Sequence, residues 1–571
     1  MPWESVRDWL LFVIAVCGGG MALAPAPRDD LTPAEAWCTG VAFAVGLLGG
    51  AVFAVYLSGV GLGWIGGGYV VLAGAALVRR GSVAALCRDA TVRELLSTWA
   101  LTSVVLLVLV ATVASYSGGA WMIDWEEHYR RARLFLHLQS EDAEFRRFFP
   151  FTARPPLANL ADAALLWVTG AAFARHQVQM LLLNSLAFLP VALFARRFGG
   201  GRAAIAATAA GVLLLPLFLQ NATYPWTKLI TAFFVLAGLH LLCARAETPR
   251  RVVLGFALLT LGSLTHYSAC VWLLAFGGAW LGSNGARWRE PAFRRTVGLA
   301  AATAAALFLP WLGYGIIHYG VATTFLANST VTGFARMGLG ENLAAIGQKL
   351  WYTFVPPVGR IRELAVFAQT NPWTRFHDAA FTFYQTNLVF AFGTPTLALL
   401  ATMWARRDWR PQVPHGRLWL WAIPAVVVLG IAVHGTVEVL GVAHICLQPL
   451  VLLGLALAAS RLPRVLADGD ARSLRVLLAA LAAVDFALGI ALHYAGCALQ
   501  LGRGDGMTLA AYAAGLDPVA QFNLDRKLVG GQPFLADLLP VPWWAAQAVL
   551  LAIVVLQLAR ARRLATAQSE S

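Results

Sequence analysis

Apolar stretches of about 18–20 residues recur from one end of this chain to the other, and that recurrence restricts the fold more than any other feature. Such a stretch, wound as a helix, crosses a hydrocarbon layer about 30 Å thick. Every backbone polar group in that layer must be satisfied internally, so repeated crossings of this length mean helices. With 59% hydrophobic and 13% charged residues, the fold class is an all-α polytopic membrane protein. Spans are expected near 8–24, 34–57, 60–78, 97–115, 177–195, 203–219, 228–244, 251–266, 269–282, 297–317, 383–404, 417–434, 438–459, 473–493 and 543–560. That gives about 13–15 transmembrane helices, with short amphipathic helices in the longer loops. The division is 1–96 N-terminal helices, 97–460 a core with outer loops 116–176 and 319–381, and 461–571 C-terminal helices with outer loop 494–542.

The net charge of +14 could suggest nucleic acid, but the arginines give it another meaning. Arg79, Arg80, Arg88 and Arg93 form one cluster, Arg196, Arg197 and Arg202 the next, then Arg245, Arg250 and Arg251. Further clusters follow at 287–295, 406–417, 461–475 and 560–563. They fall on every second loop, as cytoplasmic loops do. No nucleic-acid partner is expected, and membrane lipids are. The three long loops then share the opposite, outer face. Three spans before Arg79 put the N-terminus outside, and one re-entrant helix there would reverse it. Seven cysteines occur without CxxC or metal-like spacing, so neither a disulfide framework nor a zinc site is expected. The first apolar run reads as a retained helix.

The outer loops carry the chemistry. Trp121–Leu138 follows an apolar run and contains Asp124, Glu126, Glu127, His128, Tyr129, Arg130, Arg131 and Arg133. On a helix Asp124, Glu127 and His128 share one face. Carboxylates there suit proton transfer or a divalent metal (Mg or Mn), with Asp124 as the ligand. Arg130 and Arg131 read either as phosphate contacts or as lipid-headgroup anchors. Tyr129, Ala132, Arg133 and Leu136 suggest an amphipathic helix lying on the membrane. Arg154-Pro155-Pro156 is a stiff turn, and Leu157–Val168 a second short helix with Asn159 and Asp162 on its polar side. Lys228, at an aromatic turn, is a snorkelling anchor or a phosphate contact. His266 and Tyr267 sit between two short spans, and His444 with Gln448 follows Glu438; each is a polar cap or a substrate contact. Arg360, Arg362, His377 and Asp378 in the second loop are weaker candidates. Asn221-Ala-Thr223 and Asn328-Ser-Thr330 fit a glycosylation pattern short enough to arise by chance.

Taken together, these segments resemble the GT-C superfamily of integral-membrane glycosyltransferases, in the branch of protein mannosyltransferases, aminoarabinose transferases and Rgt-like enzymes. The resemblance rests on Asp124-Trp-Glu126-Glu127-His128-Tyr129-Arg130 after a span, on Arg154-Pro155-Pro156-Leu157, on the paired helices 201–242 and on the hairpin 254–281. It covers roughly 97–460, and Trp125 interrupts the simplest Asp-Glu form. It implies a GT-C-like core and transfer of a hexose or pentose, with inversion, from a polyprenyl-phosphate donor to a hydroxyl of a glycan, lipid or protein. Asp124 is the expected base, with Glu126 or Glu127 as alternates. His128, Arg130, Arg154, Lys228, His266, Tyr267 and His444 are the expected substrate contacts. A bacterial inner membrane with the site on the periplasmic face is expected, and the endoplasmic reticulum fits the topology equally. The alternatives are a transporter or flippase of a lipid-linked saccharide and a glycan polymerase or ligase. A transporter would place charges at mid-membrane beside broken helices, and Asp485 is the plainest carboxylate within an expected span.

Overall fold

The computed structural model describes residues 3–27, 30–116, 124–141, 151–244, 247–326, 338–356, 372–411, 413, 415–433, 441–443, 445–499 and 529–570. For residues 326, 372–378, 417, 433, 499 and 568–570 only the backbone is described.

Helices carry the architecture. In chain order they are α1 Trp3–Leu23, α2 Pro33–Ser58, α3 Leu62–Val78, α4 Arg80–Arg88, α5 Ala90–Val110, α6 Asp124–Phe135, α7 Leu157–Thr169 and α8 Phe173–Gly200. Next come α9 Ala203–Leu214, α10 Pro216–Thr223, α11 Lys228–Leu242, α12 Pro249–Thr265, α13 Ser268–Ser283 and α14 Pro291–Leu326. The remainder are α15 Leu339–Phe354, α16 Pro372–Thr386, α17 Leu388–Phe392, α18 Thr394–Ala405, α19 Gly416–Val433, α20 Gln448–Ala467, α21 Arg472–Ala498 and α22 Trp543–Glu570. Among the described residues 8 helices are long and apolar enough to cross a membrane, or up to 10 if the two bent pairs each count as one span; four shorter apolar helices accompany them. The chain is an all-α polytopic membrane protein.

Local chemistry sets the helix starts. Thr32 accepts from the Glu35 N–H while the Glu35 carboxylate accepts from the Thr32 N–H, a reciprocal cap reinforced by Pro33 at the first helical position. Asp89 caps α5 by accepting from the N–H groups of Thr91 and Val92, each at 2.9 Å.

Arginines mark one end of the bundle. Arg197 and Arg251 converge on the buried Glu35, at 2.7 and 2.8 Å. Arg202 and Arg560 converge on Glu94, and Arg79 donates to the carbonyl of Ala22. At the opposite end Arg7 donates to the carbonyl of Thr169 and Arg175 pairs with Glu4. The N-terminal residues therefore lie on the face that carries the first long loop. We refer to these ends as the arginine side and the loop face.

Two expected spans turn out to be broken. The stretch 203–219 bends by 72° between α9 and α10, because Leu215 precedes a proline and takes an extended conformation. The stretch 383–404 is interrupted at Asn387 and at Gly393, whose φ is +74°. Asp485 lies beside this second break. One of its carboxylate oxygens accepts from the Thr394 N–H at 2.6 Å, and the other from the Tyr384 hydroxyl at 3.2 Å. It thus caps α18 from a neighbouring helix, where the positive end of the helix dipole favours it. A side chain on Gly393 would bring its Cβ to 3.2 Å from that carboxylate. The mid-membrane carboxylate therefore has a structural use, and broken helices beside it do not by themselves make a transport site. Asp485→Leu would leave the Thr394 N–H and the Tyr384 hydroxyl unpaired. A loss of about 2–3 kcal/mol is expected, read as a lower melting temperature in detergent; unchanged melting would show that the cap contributes nothing.

Candidate active site

Helix α6 starts with three acidic residues, which the helix dipole favours in a first turn. Two of them are spent on the next turn. Glu126 pairs with Arg130, and Glu127 with Arg131 at 2.7 Å, both at i,i+4 spacing. The short 3₁₀ turn Phe151–Ala153 and the Pro155-Pro156 step then bring Arg154 back over the start of α6. Arg154 Nη2 donates to Asp124 Oδ1 at 2.9 Å, and its Nε stands 3.4 Å from Glu127 Oε2. Asp124 is the most open of the three carboxylates; Glu126 and Glu127 are buried.

The side chains behind this pair hold the helix in place. Arg131 is 2% exposed and donates to Glu127 Oε1 at 2.7 Å and to the Phe151 carbonyl at 2.7 Å. It is thus a buried strut rather than a headgroup anchor. Tyr129, Ala132 and Phe135 are buried too. Helix α6 is therefore enclosed between α7, the spans and the C-terminal loop instead of lying open on the membrane surface, and its charges can be enclosed because they pair with one another.

His128 turns toward α7, with Nδ1 3.0 Å from Asn159 Oδ1. One turn further along α7, Asp162 meets His176 Nδ1 of α8 at 2.7 Å, and both are fully buried. Burial pushes the Asp162 carboxyl up, and His176 opposes that shift.

Burial, with help from the charges of Arg154 and Arg131, lowers the His128 pKa to about 3; Asp124 pulls the other way. The ring is neutral in the folded protein above that value, whereas an unfolded histidine takes a proton near pH 6.5. The unfolded chain then binds more protons between about pH 3 and pH 6.5, so this residue destabilises the fold progressively as pH falls through that window. Unfolding followed at pH 7 and pH 5 should show a loss that His128→Gln reduces. An equal pH dependence in the variant would mean that His128 is protonated in the fold.

The C-terminal loop closes the site from another side. Gln532 Oε1 accepts from the Tyr129 hydroxyl and from the Phe173 N–H, each at 2.8 Å. Gln177 Oε1 accepts from the Leu535 N–H at 2.8 Å, and the Phe534 ring packs 4.7 Å from Phe173 and 5.9 Å from Trp125. Gly530 and Gly531, with φ of +67° and +75°, let the chain turn into this position. None of these residues stands out in the sequence; the Gly-Gly-Gln-Pro step at 530–533 is the one signal of a built turn there.

The other expected contacts fall in different surroundings. The Tyr267 hydroxyl donates to the Thr152 carbonyl at 3.0 Å and so braces the turn that carries Arg154. His266 Nδ1 receives the Ser268 N–H at 3.1 Å, a local cap for α13. Lys228 opens α11 with its ammonium 5.0 Å from the Trp226 ring. From there Tyr224 and Tyr116 form an aromatic run leading to Trp125. His444, Glu438, Arg360 and Arg362 lie outside the described residues, as do the side chains of His377 and Asp378.

As for a metal, no three His, Cys, Asp or Glu side chains gather as ligands would among the described residues. The described partner of Asp124 is a guanidinium, a setting better suited to an anion than to a divalent cation.

No family model matches the chain, and no curated protein matches it. Among solved structures it is similar to ArnT from Cupriavidus metallidurans bound to undecaprenyl phosphate, at 15% identity and a TM-score of 0.44, over 81% of this chain and 76% of that one. It is also similar to the archaeal oligosaccharyltransferase AglB from Archaeoglobus fulgidus, in complex with an inhibitory peptide and a dolichol-phosphate, at 17% identity and a TM-score of 0.34, over 73% of this chain and 57% of that one.

Proposed function

We propose that this chain is a membrane glycosyltransferase that moves a sugar from a polyprenyl-phosphate donor to an acceptor hydroxyl at the loop face. The observation that carries the reading is the division of labour among three neighbouring carboxylates. Glu126 and Glu127 are buried in ion pairs, while Asp124 meets Arg154 through one oxygen, Oδ1. Its Oδ2 is the acidic oxygen best placed to take a proton.

The reaction then runs as follows. The acceptor hydroxyl gives its proton to Asp124 as its oxygen attacks the anomeric carbon. The bond from that carbon to the phosphate oxygen breaks on the opposite side, its electron pair leaves with the polyprenyl phosphate, and the sugar inverts. Negative charge grows on the phosphate, and the Arg154 guanidinium beside Asp124 stabilises it. Tyr267 and Arg131 hold the backbone just before Arg154, at the carbonyls of Thr152 and Phe151, and are positioning residues. In this reading the loop face is the periplasmic face of a bacterial inner membrane, and the acceptor is a glycan, lipid or protein.

The test is a panel of radiolabelled polyprenyl-phosphate sugars offered to the purified protein with membrane extract as the acceptor source. Label moving into a lipid, glycan or protein fraction supports the reading. No transfer from any donor, alongside saccharide flux in liposomes, would replace it with a transporter.

A further inference from the structure

On the arginine side the bundle holds a cavity of about 180 Å³. Its walls belong to α9, α18, α20 and α21, with Leu558 of α22. They are cut back to small residues where the helices face each other, at Ala210 and Gly211, at Ala459 and at Ala482. Apart from Thr396 the lining is apolar, and near one end Arg475 is its one charged residue.

Two properties define what fits. The first is depth. Leu455 and Val465 of α20 both line the cavity, and the rise between them is about 15 Å. That is half of a hydrocarbon layer of roughly 30 Å. Leu215 and Gly393 line its inner end, where α9 gives way to α10 and α17 to α18. The second is charge. Arg475 stands one turn into α21, half-buried, and donates to the Val465 carbonyl at 3.2 Å and to that of Asp468. Around it Arg406, Arg407 and Arg472 are exposed, while Arg464 pairs with Asp408 at 3.2 Å. Asp468 and Asp470 occupy the turn before α21, so arginine remains in excess on this rim.

We propose that this cavity is a binding site for one phospholipid of the arginine-side leaflet, one acyl chain filling the apolar slot and the anionic headgroup meeting Arg475. A slot that ends at mid-depth matches a chain that ends at mid-depth. It does not suit the polyprenyl chain of the proposed donor, whose phosphate would lie at the opposite face. The site is independent of the transfer reaction: it holds α9, α18, α20 and α21 around the two helix breaks, where packing alone leaves a void.

Native mass spectrometry of the full-length protein tests this. Delipidated protein is mixed with phosphatidylglycerol or with phosphatidylcholine of the same chains. One retained lipid is expected, with about a fivefold preference for phosphatidylglycerol, the factor that one arginine at a membrane surface supplies. Ala210→Leu/Ala459→Leu fills the slot and should abolish retention. If that variant does not fold, Arg475→Gln decides, since it should keep the lipid and lose the preference, and Arg475→Lys should restore it. Four results would overturn the proposal. These are a wild type that retains no lipid, a folded filled variant that binds as wild type does, a preference unchanged in Arg475→Gln, or a retained lipid that proves to be a polyprenyl phosphate.

Discussion

Asp124→Asn is expected to lower sugar transfer about a thousandfold while leaving the fold intact, within the 10²–10⁴ range typical of losing a positioned base. The substitution is nearly isosteric. An asparagine oxygen can still accept from Arg154 Nη2, now 2.9 Å from Asp124 Oδ1, so the guanidinium stays in place for the leaving phosphate. What disappears is the group that takes the acceptor proton. Donor binding should therefore change little and the rate should collapse. Initial rates with labelled donor, donor binding and a melting curve on the same preparation separate these effects. Equal rates would remove Asp124 from the chemistry, and the ion pairs of Glu126 and Glu127 would then have to open for either to serve. Loss of donor binding together with rate would instead make Asp124 a binding group for the donor.

Much of the framework could be read from the chain because its signals are local. Apolar runs mark spans, Thr32-Pro33 and Asp89 mark helix starts, and alternate arginine clusters mark one end. The acidic start of α6 and the proline step after Arg154 were also legible, since spacing on a helix and a fixed φ are properties of a few neighbouring residues. What stayed hidden depends on partners far along the chain. Arg131 read as a headgroup anchor before a phosphate contact, because nothing nearby shows that the Phe151 carbonyl, 20 residues away, accepts from it. Gln532 meets Tyr129 across 403 residues. The break at Gly393 looks like a glycine in an ordinary span until Asp485, 91 residues beyond Thr394, supplies the cap that makes a new helix start affordable. For His266 the described contact is a local one, Nδ1 accepting from the Ser268 N–H of its own turn.

Glu127→Gln should have its largest effect on stability, in contrast to Asp124→Asn. Arg131 is 2% exposed, and among the described residues Glu127 is the carboxylate it pairs with. Removing that charge takes away the described carboxylate beside an enclosed guanidinium, and breaking a buried pair from one side costs about 3–5 kcal/mol. The melting temperature in detergent should fall accordingly. Glu127→Gln/Arg131→Met should recover much of the loss, because taking out both charges together is often close to neutral. Recovery would identify the pair as mutually dependent, since two independent losses would add. It would also sort the three acids of α6 by role. A double variant that folds but transfers slowly would show that Arg131 also positions Arg154 through the Phe151 carbonyl. A Glu127→Gln protein that melts like wild type would mean that Arg131 reaches water or another anion, and the enclosed strut would have to be abandoned.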